Sequence, residues 1–211
     1  MKLVLMCPIV VSIMAGCEAV GFFAQGVAGG DPPPIRVTAE YDGLSNQTVA
    51  VLVNADLGTL YEHPNCQLEV GLALSRELAA NVAGIKIINP NQIVEFQRRN
   101  LYWHTLTYPE LAKRLNVTRL VLVEIVDYRT HEPGNVNIWQ GVIAGQIGVV
   151  EADGDKPKDQ IYGASVTVRY PEDRPVGILD ANEATILKAV LDRFAKKAGE
   201  KFHEHEEPRP R

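Results

Sequence analysis

Cysteine is scarce in this chain of 211 residues, which contains only Cys7, Cys17 and Cys66. Two of the three fall in the amino-terminal segment, so a single cysteine remains for the rest of the chain. A disulfide framework is thereby excluded for the main part of the protein. The sequence therefore predicts one domain of ordinary size whose stability depends on a hydrophobic core.

The chain also lacks an excess of basic residues: 21 Lys and Arg stand against 26 Asp and Glu, giving a formal net charge of -5. No basic stripe is interleaved with aromatic residues, so we expect no nucleic-acid partner. Phosphate loops, dinucleotide fingerprints, zinc helices and nucleophile elbows are absent as sequence motifs. These absences favour a protein that is not an enzyme and that has no catalytic residues, no cofactor and no metal site.

No apolar run is long enough for a permanent membrane span. The run at residues 3–15 reaches only about 20 Å as a helix, against a hydrocarbon core of ~30 Å, and Pro8 interrupts it. Lys2 precedes this run and Ala15-Gly16 follow it, the three parts of a secretory signal. We therefore predict a signal peptide at residues 1–16. The alternatives are a signal peptide with a chance cysteine after it, or a buried amino-terminal strand.

The segment ending in Ala15-Gly16-Cys17 resembles the lipobox of bacterial lipoproteins, with Met14 in place of the usual leucine. The resemblance implies that the Cys17 thiol carries diacylglycerol and that its amino group is acylated, for example by palmitate. It also implies a cell-envelope protein anchored in the membrane and facing the periplasm. Glu18 is not the aspartate that favours inner-membrane retention in enteric bacteria, so the outer membrane is preferred.

The chain after the signal divides into three predicted parts. Residues 17–36 are rich in Gly, Ala and Pro and form a flexible tether that reaches on the order of 25 Å. Residues 37–202 form a single α/β domain. Residues 203–211 are charged and contain proline, and we predict a disordered tail there.

Hydrophobic periodicity within the domain alternates between strands and helices. Strands are predicted at 48–54, 85–88, 119–128, 138–151 and 160–170, and helices at 67–83, 90–99, 108–115 and, after an Asp180 cap, 181–198. Helical crossovers make the first three strands parallel, and short polar turns make the last three an antiparallel meander. The predicted fold is α/β, bordering on α+β, with a mixed sheet of about five strands covered by helices.

One helix–strand segment within this pattern resembles part of a known domain. The helix ELAKRLNV at 110–117 leads straight into the strand TRLVLVEIV at 118–126. This is similar to the domain shared by the TolB amino-terminal region, the curli-secretion lipoproteins and the lipoprotein activators of penicillin-binding proteins. The resemblance covers residues 48 to 170 and implies a periplasmic domain that binds other envelope proteins. It brings no catalytic residues, and no segment here is typical of pore formation.

Few side chains are candidates for chemistry. Cys66 opens a predicted helix, where the helix dipole can lower a thiol pKa, but a lone, partly buried thiol is the simpler interpretation. Glu124 and Asp127 are predicted to face opposite sides of one strand, so they do not form a carboxylate pair. His203 and His205 alternate with glutamates without a rigid metal shell. Glycines 141, 145 and 148 either admit a closely approaching partner or ligand or let the strand bend over a helix.

Aromatic residues mark the best candidate for a partner-binding surface. Several lie in and around the connection between the two short central helices, and a loop at 56–65 adds one more, giving Tyr61, Phe96, Tyr102, Trp103 and His104. Packing against the core is the alternative role for these rings.

These observations predict a lipid-anchored envelope lipoprotein that acts as a non-catalytic adaptor or assembly factor through protein-protein contacts. A periplasmic lipoprotein that binds a small molecule or a lipid is the alternative, and an envelope hydrolase comes third. A large apolar pocket would favour the alternative, whereas a closed core with exposed aromatic residues would favour the adaptor.

Overall fold

A computed structural model describes residues 33–209 of the chain. The chain divides into two units, Arg36–His205 and a unit made of Met1–Ile35 with Glu206–Arg211. Of the second unit only residues 33–35 and 206–209 are described. The predicted signal peptide, Cys17 and most of the predicted tether lie outside the described residues.

The larger unit is built on a mixed sheet of six strands. Five follow the order β3-β2-β4-β5-β6, and β7 pairs with the part of β5 that precedes the segment paired with β6. Their bounds are β2 Thr48–Ala55, β3 Lys86–Ile87, β4 Arg119–Glu132, β5 Asn135–Glu151, β6 Tyr162–Tyr170 and β7 Val176–Gly177. The strand β1, Ile35–Val37, and the strand β8, His205–Glu207, form a separate two-stranded sheet.

Five α-helices within residues 33–209 connect and cover the strands. They are α1 Leu57–Glu62, α2 Cys66–Asn81, α3 Pro90–Arg99, α4 Tyr108–Leu115 and α5 Glu183–Gly199, with single 3-10 turns at Trp103–Thr105 and Glu200–Phe202. None of the helices in the described part of the chain has the length and apolar composition needed to span a bilayer.

The predicted topology is confirmed. Strand β2 pairs in parallel with β3 and with β4, whereas β4-β5 and β5-β6 pair antiparallel. The parallel neighbours are those joined by helices, because a parallel connection must cross over the sheet. The fold class is the predicted α/β arrangement of a mixed sheet covered by helices.

Helices cover the two faces of the sheet unequally. One face packs against α2 and α5 and holds the larger core, with Leu74, Val123 and Phe194 among its buried members. The other face holds a smaller core over β2 and the start of β4, formed with Ile93 of α3 and Leu111 of α4. The rest of this second face is the open face, where Val126 of β4 is 63% exposed and Ser165 and Thr167 of β6 are also exposed.

The edge of β2 is covered by side chains rather than by a long strand. Because β3 has only two residues, the Val53 carbonyl has no strand partner on that side. Gln67 of α2 and Gln97 of α3 each donate a side-chain N–H to this oxygen, at 3.0 and 2.9 Å. Helices thus satisfy the backbone of an edge strand that would otherwise be open.

The structure differs from the sequence-based prediction in four places. Residues 203–211, predicted as a disordered tail, include the strand β8, and the last residues of the predicted tether, 35–36, lie in β1. Backbone pairing explains this, because a charged segment forms a strand once it finds a partner. The predicted loop at 56–65 contains α1. The last helix is capped by Asn182, which accepts from the Thr185 N–H at 3.0 Å, not by Asp180.

Candidate functional site

A row of polar side chains crosses the open face of the sheet. Asn54 pairs in register with Glu124, Glu124 with Gln146, and Gln146 with Ser165, so the four side chains lie side by side on four strands. Asn54 donates to both carboxylate oxygens of Glu124, at 3.1 and 2.8 Å, and the Ser165 hydroxyl donates to Gln146 Oε1 at 3.0 Å. We call these four residues the polar row.

Three members of the polar row, Asn54, Glu124 and Gln146, form part of the floor of a cleft of about 260 Å³. One wall comes from the connection before α4 and from α4 itself, with Trp103, His104 and Tyr108 among the lining residues. Gly148 and Gln160 complete the other end. The Gln160 amide occupies the space in which a Cβ at Gly148 would lie. The cleft therefore combines aromatic walls with a carboxylate and amides.

Local hydrogen bonds hold the wall in place. Trp103 begins a 3-10 turn by donating its backbone N–H to the Asn100 carbonyl at 2.8 Å. Thr107 then opens α4 and donates its backbone N–H and its hydroxyl to the Glu110 carboxylate, at 2.9 and 2.7 Å. These bonds from Thr107 lower the pKa of Glu110, which keeps the carboxylate ionised at the helix start.

A second feature is a set of four exposed apolar side chains, which we call the apolar rim. Two follow β2 directly, and two follow α3, whose Gln97 binds the Val53 carbonyl near the end of β2. Leu57 and Tyr61 lie on α1, directly after β2, and are 85% and 88% exposed. Leu101 and Tyr102 follow α3 and are each 75% exposed. The spacing of Leu57 and Tyr61 places them on the same side of α1.

Helix α1 is fixed to the domain although none of its residues is buried. Asp56 caps it by accepting from the backbone N–H of Gly58 at 2.7 Å and of Thr59 at 3.1 Å. His63, at its end, contacts the ring of the buried Tyr128 with centroids 5.0 Å apart. The helix thus presents its apolar residues from a defined position.

The predicted aromatic cluster is divided by the structure. Tyr61, Tyr102 and His104 are exposed, whereas Phe96 and Trp103 are half-buried and pack against the smaller core. Trp103 and His104 both line the cleft, and Tyr102 belongs to the apolar rim. The sequence indicated these residues by type alone, and burial now separates the rings that support the core from those that a partner can reach.

Two other candidates for chemistry, Cys66 and His203, lie in largely buried positions. Cys66 is completely buried, and burial raises the pKa of its thiol to about 11. This environment opposes the activation by a helix dipole that its position in the sequence allows. His203, predicted within a disordered tail, is 13% exposed, and its Nε2 lies 3.7 Å from Glu77 Oε1.

Glu124 and Asp127 do not form a carboxylate pair, although the expected reason is wrong. A bulge between Ile125 and Asp127 interrupts the strict alternation, so that Ile125 and Tyr128 both enter the larger core. Glu124 instead binds Asn54, and Asp127 lies 3.2 Å from Arg129 Nε.

Two of the three glycines of β5 serve helix packing. A Cβ at Gly141 would lie 2.9 Å from Ile186 Cγ2, and one at Gly145 would lie 3.4 Å from Phe194 Cζ, both on α5. Only Gly148 faces the cleft. Helix α5 thus approaches β5 at Gly141 and Gly145, whereas the space at Gly148 is taken by the Gln160 amide.

No family model matches the chain, and no curated protein matches it. Among solved structures, the PelC dodecamer from Paraburkholderia phytofirmans is similar with 10% identity and a TM-score of 0.45, over 77% of this chain and 94% of that one. Lipoprotein GNA1162 from Neisseria meningitidis is similar with 13% identity and a TM-score of 0.44, over 70% of this chain and 97% of that one. Solved structures that the chain resembles thus include a bacterial lipoprotein, and at these TM-scores the likeness assigns it no function.

Proposed function

We propose that this protein is a non-catalytic adaptor or assembly factor of the bacterial cell envelope, anchored through Cys17 in the outer membrane and facing the periplasm. The apolar rim is the observation that carries the proposal. Four large apolar side chains at least 75% exposed, on two segments that start near the end of one strand, favour a surface that another protein covers. Tyrosine, present here twice, is enriched at the energetic centres of such interfaces.

The energy available from this surface is sufficient for a specific contact. Burying one large apolar side chain contributes roughly 1.5–3 kcal/mol by transfer from water. Burial of the rim therefore offers several kcal/mol before the cost of association. The lipid anchor reduces that cost, because confinement at the membrane raises the effective concentration of a partner in the same envelope.

The test is site-specific photo-crosslinking in living cells. A photoreactive residue at position 102 of the full chain is expected to capture a distinct envelope protein. The matched control is position 179, because Leu179 is also apolar, 95% exposed and on another loop. Capture of the same protein from both positions, or from neither, would refute the apolar rim as the partner surface.

Substitution of the rim provides a second readout. Tyr102→Ser is expected to weaken capture of the partner, detected from a second photoreactive position at 61, by about tenfold, since hot-spot truncations cost on the order of 1–2 kcal/mol. Leu179→Ser is expected to leave capture unchanged. Cys17→Ser is expected to release the protein from the membrane fraction and to lower capture without changing the fold.

A second candidate function, binding of a small periplasmic molecule, is favoured by the cleft. Its volume of about 260 Å³ is close to the lower end of the ~300–1,000 Å³ of small-molecule sites. The Glu124 carboxylate on its floor binds Asn54, and no cationic side chain lies among the residues that line the cleft. A polar floor beside an aromatic wall fits a ligand with hydroxyl or amino groups better than a lipid tail.

Thermal unfolding in the presence of neutral sugars and of primary amines tests this candidate. A ligand that binds only the folded protein raises the Tm with concentration. Glu124→Gln keeps the shape of the floor and is expected to abolish the response to amines. Asp173→Asn removes an exposed carboxylate outside the cleft and is expected to leave it unchanged. If no probe raises the Tm, the cleft is not a site for these ligands.

A further inference from the structure

The two edges of the main sheet differ in their protection. The edge at β2 is covered by α3 and by the two glutamine side chains that bind the Val53 carbonyl. The opposite edge is β6, and no strand among the described residues pairs with its outer side. Arg193 of α5 reaches only its last part, with Nη1 3.5 Å from the Arg169 carbonyl and the guanidinium stacked over Tyr170.

An open edge usually carries charges that prevent pairing with another strand. Strand β6, with the sequence YGASVTVRY, has no charged side chain before Arg169. Valine, threonine and tyrosine, which favour strands, make up most of it. The edge is therefore built to pair rather than to repel, and a second strand can add to it through backbone hydrogen bonds.

When the sequence of β6 is reversed about Val166, residues of similar type meet at most positions. In an antiparallel pair of two such strands, Val166 meets Val166, Ser165 meets Thr167, and Tyr162 meets Tyr170. Gly163 meets Arg169, so the longest side chain faces the residue without one. No like charges are opposed anywhere along the pair, which is the requirement for stable cross-strand contacts.

In this arrangement, the buried and the exposed faces of the two sheets would also lie on matching sides. Val166 and Val168 are buried under the helical layer, whereas Gly163, Ser165, Thr167 and Arg169 are exposed on the open face. Pairing about Val166 places Val166 opposite Val166, the buried Val168 opposite the half-buried Ala164, and exposed positions opposite exposed ones. A twofold axis perpendicular to the sheet therefore continues both layers across the contact.

We propose that two copies of this chain associate through antiparallel pairing of their β6 strands about a twofold axis at Val166, joining the two sheets into one. The contact uses neither the apolar rim nor the walls of the cleft, so it is independent of the proposed adaptor function. A second copy is the occupant that the self-matching strand specifies.

Two double variants of the full chain test the pairing. In Ser165→Lys/Thr167→Lys, each lysine at 165 faces a lysine at 167 of the second copy, and like charges oppose each other twice. In Ser165→Lys/Thr167→Glu, the same positions hold opposite charges. Both variants alter only exposed side chains of the single chain, so the second is a matched control for the first.

Native mass spectrometry from detergent at micromolar concentration counts the chains directly, and circular dichroism checks that each variant is folded. We expect two chains for the wild type and for the lysine–glutamate variant. The dilysine variant is expected to be a single chain, with a dissociation constant raised at least about tenfold. A wild type that is a single chain, a dilysine variant that still pairs, or a lysine–glutamate variant that does not pair would each overturn the proposal.

Discussion

The packing of α5 against β5 leads to a quantitative prediction for Gly141→Ala. The added Cβ would lie 2.9 Å from Ile186 Cγ2 and 3.1 Å from Val190 Cβ. Carbon atoms in packed cores prefer separations of about 3.5–4.0 Å, so the helix or the strand must move by roughly half an ångström or more. Val190 is fully buried and cannot move toward solvent.

Two opposing terms set the size of the effect. Overpacking of a core costs typically 1–3 kcal/mol, and replacing glycine in a strand recovers about 0.5–1 kcal/mol of chain entropy. The midpoints of these ranges leave a net loss of about 1 kcal/mol in the free energy of unfolding of Gly141→Ala, measured by urea denaturation. Gly163→Ala is the control, because Gly163 is exposed and its nearest neighbour, Gln160, is a flexible side chain at 3.1 Å. That variant should be neutral or slightly more stable.

A double-mutant cycle identifies the cause. Ile186→Ala removes Cγ2, the atom nearest to the new methyl group, so the loss in Gly141→Ala/Ile186→Ala should be smaller than the sum of the single losses by about 0.5–2 kcal/mol. Strict additivity, or a Gly141→Ala variant as stable as the wild type, would show that α5 does not approach β5 as closely as described.

Three further predictions each concern a single side chain. With the other cysteines replaced, native Cys66 should react with iodoacetamide at pH 8 at least about a hundredfold more slowly than in urea, because burial raises its thiol pKa to about 11. Hydrogen bonds from Lys201 and Tyr162 lower the pKa of Glu40, so its contribution to stability is present above the ordinary value of 4.5 and is lost as the pH falls below it. Glu40→Gln should therefore flatten the acid side of a plot of Tm against pH. Thr107→Ala should cost about 1 kcal/mol in urea denaturation by removing the cap of α4, and an unchanged midpoint would contradict that role.

The topology of the sheet could be predicted because the sequence contains its local causes. Helical patterns between the first three strands require parallel crossovers, and polar turns between the last three allow hairpins. Helix α4 was predicted with its observed bounds, since Thr107 and Pro109 open it and Asn116, in a left-handed conformation with φ 54°, ends it.

The elements that were missed depend on contacts distant in sequence. Helix α1 is short and apolar on an exposed side, and its placement rests on the contact of His63 with Tyr128. Strand β8 has a composition typical of disorder and is ordered by pairing with β1. The Asp180 and Asn182 side chains are both good caps, and the sequence does not decide between them.

The cleft could not be predicted from the sequence, because it also depends on contacts between residues distant in sequence. Glu124 was noticed as a carboxylate within an apolar strand, whereas Gln146 and Ser165 carried no signal of their own. Only the strand register brings these side chains beside Asn54. The aromatic wall was identified by residue type, but its position over the polar row follows from the path of the chain between α3 and α4.

The two glutamines that hold the Val53 carbonyl also limit how large an assembly can become. A sheet with two free edges can add copies at both ends and grow into a filament, a hazard for any protein concentrated on a membrane. Here helices obstruct one side, so growth through sheet edges stops after a single addition. In the proposed pairing, a two-residue strand and the amides of Gln67 and Gln97 would thus stop the growth of the sheet.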